Sequence, residues 1–224
     1  MSKKFFALMV LGPPGSGKGT QIKLLSEKFG LYHFISSQVG RDYIAYHNDN
    51  ASLKQRERYE KGLLFDERWM FDRVKEKTEE IFNQGASEGI IYDGSPRTLY
   101  EAEKLYDFLV GSIGKENIKI IEIDVSEEEI MKRLEKRLVC GDSGEHVFIR
   151  SEKLWPGSLC PECGGILKER DLDKKEVIKI RMEEYKNKTL PGLEFLKKNH
   201  DVLVIDGEQA IEKVHEEVMR KLAL

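Results

Sequence analysis

The chain has 224 residues, with 37 Lys plus Arg against 40 Asp plus Glu and three cysteines. A net charge of −3 excludes a general attraction to nucleic acid or to an anionic membrane, so any polyanion must be held by local positive charge. Three cysteines do not make a secreted disulfide framework, and the length suits one large domain or a domain with insertions.

The opening MSKKFFALMVLG places two lysines before a short apolar run, in the manner of a signal peptide. No small-residue cleavage site follows, and the run leads directly into GPPGSGKGT, so a buried first strand over 5–12 is expected. No stretch approaches the ~20 apolar residues that span a bilayer. A cytoplasmic location is the expectation.

GPPGSGKGT (12–20) reads as a phosphate-binding loop between a strand and a helix. Gly15, Ser16, Gly17, Lys18, Gly19 and Thr20 would turn backbone N–H groups inward at a helix N-terminus, and Lys18 would reach the β- and γ-phosphates of a nucleoside triphosphate. Gly19 stands where this motif commonly has a Ser or Thr for Mg²⁺, and Thr20 comes one place late. The metal must then lean on phosphates, water and an outer-shell acid. TQIKLLSEKFG continues as a helix with Ile22, Leu25 and Phe29 on one stripe, ending at Gly30.

A second strand is expected at HFIS (33–36), followed by a polar, helical stretch over 37–69 that fits a strand–helix rhythm poorly. GIIYDG (89–94) is the third strand. It ends in DGSPRT (93–98), at the edge of the sheet where ligands of open α/β folds bind. Asp93 is the natural acid for the metal, and Arg97 is the first of several spaced arginines. IKIIEIDV (118–125) is the fourth strand. In the helix that follows, Arg133 and Arg137 are four apart and share a face.

Residues 137–173 break the pattern again and carry Cys140, Cys160 and Cys163. C-P-E-C-G-G reads as half of a tetrahedral clip, yet the residue three after Cys140 is Ser143, and a closed zinc site wants four nitrogen or sulfur ligands. Arg170 and Arg181 flank the end of this segment. EVIKIRMEEYKNKTLPGLEFLKKN reads as one helical pattern, and DVLVID (201–206) is the fifth strand. Continuous apolar strands alternating with helices predict an α/β, doubly wound, five-stranded parallel sheet with two inserted segments.

GPPGSGKGTQ, DGSPRT…EAEKL, the arginines at 133 and 137, C-x2-S…CPECGG and RDLD…IR…TLPG occur in this order in adenylate kinases, which the chain resembles over nearly its whole length. The resemblance implies Mg²⁺-dependent transfer from ATP to AMP, giving two ADP. It implies a core of 1–36, 70–136 and 174–224, an AMP-binding insertion over 37–69, and a lid over 137–173. Arg97 would grip the AMP phosphate, and Arg133 would cover the ATP base. Arg137, Arg170 and Arg181 would converge on the phosphates, with Gln209 on the ATP side. Ser37, Arg41, Gly94 and Glu101 would face AMP. The partners implied are small nucleotides, with no nucleic acid or membrane, and a monomer is the default. Glu101 takes the place of a Gln that reads adenine; an ionised carboxylate only accepts hydrogen bonds, which would suit guanine better and keeps GMP as an alternative acceptor. The lid spacing matches the family's zinc lids with one ligand replaced. Cys140, His146, Cys160 and Cys163 would complete a structural Zn²⁺ tetrahedron, with Ser143 or water as the other candidates for the fourth place.

Overall fold

The computed structural model describes residues 5–144 and 146–223. β1 (Phe6–Leu11) enters the glycine-rich loop and α1 (Lys18–Phe29) leaves it, closed by Gly30 in the left-handed region. β2 (Leu31–Ile35) is followed by α2 (Ser36–Tyr46), α3 (Asn50–Glu60) and α4 (Glu67–Gln84). Asp49 and Asp66 start the last two by accepting hydrogen bonds from free backbone N–H groups of the first turn. β3 (Gly89–Asp93), α5 (Leu99–Ile113), β4 (Ile118–Asp124) and α6 (Glu127–Glu135) follow. Then come β5 (Arg137–Cys140), β6 (Val147–Ile149), β7 (Leu167–Glu169), α7 (Lys175–Glu184), α8 (Leu190–Asn199), β8 (Val202–Asp206) and α9 (Ile211–Leu222).

The five expected strands form one all-parallel sheet in the order β2-β3-β1-β4-β8. Side chains of β1 alternate between its faces: Ala7 and Met9 pack with α4, α5 and α8, while Leu8 and Val10 pack with α1, α6, α7 and α9. Both faces are covered, which is why these strands read as unbroken apolar runs. The chain leaves β1 toward β2 and leaves β3 toward β4, in opposite directions across the sheet. A crevice therefore opens at the carboxyl ends of β1 and β3, the switch point of a doubly wound sheet.

A second, three-stranded antiparallel sheet, β6-β5-β7, occupies the cysteine segment. Its small core is Leu138, Cys140, Cys160 and Leu167, with Phe148 and Leu154 against it.

The single helix expected over 176–199 is two. A π-helical turn, Tyr185–Thr189, separates α7 from α8. Pro191 has no N–H for the carbonyl four residues back, and its ring would crowd that carbonyl. The widened turn just before it accommodates both defects. The break lets α8 pack on the turn after β3: a Cβ on Gly192 would lie 2.7 Å from the Thr98 carbonyl oxygen.

Candidate active site

The loop after β1 is held in shape by glycines. Gly12, Gly15 and Gly17 have φ of +134°, +85° and +93°, and a Cβ on Gly12 would lie 2.4 Å from the Ile123 carbonyl oxygen of β4. Ser16 is buried behind the loop, while Gly19 and Thr20 lie exposed in the first turn of α1. Lys18 Nζ donates to the carbonyls of Gly12 at 2.7 Å and Pro13 at 2.6 Å and to Ser16 Oγ at 3.3 Å. Burial brings its ammonium down to about 7; Asp93 works against this, and Arg97, Arg181 and Arg137 add to it. Cations from three separate segments are thus felt at the head of one helix. Such an arrangement waits for a polyanion.

Asp93 ends β3 beside the loop. Its Oδ2 lies 3.2 Å from His33 Nε2, in the middle of the neighbouring strand β2. Burial pushes the Asp93 carboxyl up, but the bond and charge of His33 and the charges of Lys18 and Arg97 outweigh it and hold the group below its ordinary value. It is an ionised acid at the mouth of a cationic pocket.

Arg97 is positioned through its backbone. Its N–H donates to Glu101 Oε2 at 2.8 Å, and its carbonyl accepts from Thr189 Oγ1 at 2.9 Å. The guanidinium folds over Gly94, whose φ is +77° and where a Cβ would sit 2.3 Å from Arg97 Nη2. Ser37 and Arg41 lie on α2, linked at 3.4 Å between Ser37 Oγ and Arg41 Nη1. Arg41 also stands 5.9 Å over the Tyr59 ring. Desolvation and the charge of Arg137 lower the Arg170 guanidinium, and Arg41 adds to that effect, so α2 and Arg170 come within electrostatic reach.

Arg137 is gripped by Asp173, with Nε to Oδ2 at 2.6 Å and Nη2 to Oδ1 as a second bond. Asp173 also meets Arg181 Nη1 at 3.4 Å and is itself nearly buried. Burial, then Arg170 and Arg137, bring the Arg181 guanidinium down to about 10. One buried carboxylate therefore holds two arginines of like charge side by side. Arg133 makes an i,i+4 pair with Glu129 at 2.8 Å on α6, but it does not share a helix face with Arg137, because α6 ends at Glu135 and Arg137 opens β5. Gln209 follows β8 on the same rim, but its Nε2 is engaged by the Asp206 carbonyl at 3.1 Å and Glu217 Oε2 at 2.7 Å, and so braces the start of α9.

Glu101 is buried, at 4% exposure, as the third residue of α5 after its Thr98 cap. Burial raises its carboxyl from 4.5 to about 7, against the opposing pull of the Arg97 N–H and charge. A carboxyl raised in the fold costs stability once pH exceeds its unfolded value, because the folded chain then binds more protons than the unfolded one. Stability falls as pH rises from about 4.5 to about 7. Glu101→Gln keeps an acceptor for the Arg97 N–H without the charge. At pH 8 it is expected to stabilise the fold by on the order of 2 kcal/mol, with the gain vanishing near pH 4; urea unfolding at both pH values checks it.

In the β5–β7 segment, Cys140, His146, Cys160 and Cys163 present their ligand atoms within 4.8 Å of one another. Cys140 Sγ lies 3.4 Å from Cys163 Sγ, and Cys160 Sγ lies 3.4 Å from His146 Nδ1. None of the three cysteines is in a disulfide. A tetrahedral zinc with sulfur at about 2.3 Å separates its sulfurs by about 3.8 Å, so this cluster fits the ion. Ser143 has a different place. Its backbone N–H, the Asp142 N–H, the Cys163 thiol and the Ser143 hydroxyl all donate to Cys140 sulfur and, against burial, bring that thiol down to about 6. It prepares a thiolate ligand.

Asp173, His33 and Thr189 are contributors the sequence reading passed over. Asp173 lies within the RDLD stretch; an acid beside an arginine set was the available signal. His33 and Thr189 left none, since each matters only through a partner far along the chain, 60 and 92 residues away.

A family model described as adenylate kinase matches residues 10–201. An adenylate kinase of Petrotoga mobilis is 35% identical over 215 residues, covering 96% of each chain. One of Methanocella arvoryzae is 34% identical over 218 residues, covering 96% of this chain and 99% of its own. One of Archaeoglobus fulgidus is 34% identical over 213 residues, covering 94% and 95%.

Proposed function

The chain belongs to the adenylate kinase family, and from that premise we propose how its residues share the reversible conversion of ATP and AMP into two ADP. The observation that carries the reading is the gathering of Arg97, Arg137 and Arg181 within electrostatic reach of Lys18 at the head of α1, with Asp93 beside the lysine and Asp173 between the last two arginines. The attacking group is an AMP phosphate oxygen, already anionic at pH 7, so the reaction needs no general base. Catalysis is alignment of two phosphates and cancellation of their charge. Arg97 holds the AMP phosphate. Lys18 and the loop N–H groups hold the ATP phosphates, Arg133 covers the ATP base, and Arg137, Arg170 and Arg181 close over the transferring group. Asp173 spaces the last cations. Mg²⁺ with ATP supplies further positive charge to the phosphates, and Asp93 is the acid suited to hold it. Gln209 lies on the ATP side as a brace.

Residues 37–69 form the AMP-side insertion and 137–173 the lid, fastened by a structural Zn²⁺ on Cys140, His146, Cys160 and Cys163. Ser37, Arg41, Gly94 and Glu101 face AMP. No helix among the described residues is long and apolar enough to cross a membrane. The unpaired cysteines favour a reducing cytoplasm, and we read the chain as a monomer acting on small nucleotides.

The family shown by the comparisons speaks against GMP, and Glu101 supplies a physical reason. The guanine argument needs a fully ionised carboxylate, whereas burial raises this one to about 7, so near neutral pH a large share of it is protonated. A neutral carboxyl offers one donor and one acceptor, as the Gln amide does, and so matches adenine N1 and N6. Initial rates with ATP against AMP, GMP, CMP and UMP test the assignment. AMP is expected to be preferred; a GMP rate equal to that with AMP contradicts it.

A further inference from the structure

One acidic side chain of the lid takes part in nothing described so far. Glu162 lies inside the C-P-E-C turn, between two metal-ligating cysteines. Its Oε2 is 3.3 Å from His146 Nε2. The other ring nitrogen, Nδ1, faces the sulfurs, 3.4 Å from Cys160 Sγ. The same carboxylate oxygen is 3.3 Å from Lys23 Nζ, on α1 and five residues after the phosphate-loop lysine.

A neutral imidazole carries its hydrogen on one nitrogen and offers a lone pair only on the other. A carboxylate at Nε2 can only accept, so it draws the hydrogen there and leaves the Nδ1 lone pair directed at the thiols. We propose that Glu162 is a positioning residue of the lid metal site, which fixes His146 as an Nδ1 ligand, and that Lys23 holds this carboxylate in place from the core. The proposal rests on reading the cluster as a zinc site. It also accounts for the lysine. Three thiolates and a neutral imidazole leave a zinc centre with net charge −1, to which Glu162 adds another negative charge at short range. Lys23 is the cation that offsets it.

Glu162 and Lys23 are 43% and 55% exposed at the side chain, and an exposed pair of this kind contributes little to folding stability. The effect must be read at the metal. The full-length chain, Glu162→Ala, Glu162→Gln and Lys23→Met are titrated with zinc in competition with a chromophoric chelator. Nitrogen-15 spectra of the zinc-loaded chain report the His146 tautomer. Glu162→Ala is expected to bind zinc about 10–100-fold more weakly, the loss typical of an outer partner of a metal-bound histidine. Glu162→Gln, whose amide oxygen still accepts, recovers most of it, and Lys23→Met loses less than Glu162→Ala. The spectra are expected to place the metal on Nδ1 and the hydrogen on Nε2. Wild-type affinity in Glu162→Ala, a metallated Nε2, or a Lys23→Met loss as large as that of Glu162→Ala overturns the proposal. A wild-type chain that takes no zinc from the chelator overturns the zinc reading itself, a separately recognisable result.

Discussion

Lys18→Met is expected to lower kcat by about 10³-fold or more while leaving the fold as stable as before, or slightly more so. The activity loss follows from position: the glycine-rich loop turns the Lys18 ammonium inward at the head of α1, among the charges of Arg97, Arg137 and Arg181. Removing one preorganised donor to developing charge in such a site costs about 10²–10³ in rate, and this donor also carries a full charge. The stability argument runs the other way. An ammonium brought down to about 7 by burial and three neighbouring arginines is held against its preference, and its bonds to Gly12, Pro13 and Ser16 and the charge of Asp93 offset only part of that cost. Met fills similar space without the charge. Steady-state kinetics beside thermal unfolding separate the two effects; a Lys18→Met chain that unfolds well below the parent contradicts this account of the loop.

Arg97→Ala should fall mainly on AMP. The Arg97 backbone is fixed by Glu101 and Thr189 through bonds that alanine retains, so the turn after β3 survives the change. What disappears is a charged fork over Gly94. A loss of about 10²–10³ in kcat/KM for AMP is expected, with KM for ATP little altered. Equal losses for both nucleotides would mean that Arg97 does not belong to the acceptor side.

The two substitutions mark how far the sequence could be read. The loop around Lys18 is a local device, in which spaced glycines, a lysine and a helix start sit within nine residues. It is legible because the physics that shapes it is also local. The five apolar runs were legible for a related reason, since strands covered on both faces must be apolar throughout. Arg97 was visible as a residue type at a strand end, yet its backbone is fixed in part by Thr189, which a widened helical turn brings to its carbonyl. That turn was hidden because a period-3.6 pattern runs through it and only Pro191 signals the defect. Asp173, bridging Arg137 and Arg181, became evident only when β5 and α7 were set side by side.

The cysteine segment shows the same division. Its spacing announced a clip with one member missing, and His146 was one of three candidates for the gap. Geometry brings His146 Nδ1 to the sulfurs and turns Ser143 toward Cys140 as a hydrogen-bond donor. Gln209 carries contacts that spacing does not signal: its amide hydrogens go to the Asp206 carbonyl at the end of β8 and to Glu217 within α9.

The account stands or falls on phosphoryl transfer to a second nucleotide rather than to water. The direct measurement is ADP formed from ATP and Mg²⁺ by the intact chain, followed with and without AMP. Rapid ADP formation that requires AMP, with two ADP produced for each ATP consumed, is the expected result. ADP released equally fast without AMP, one for each ATP, would contradict it.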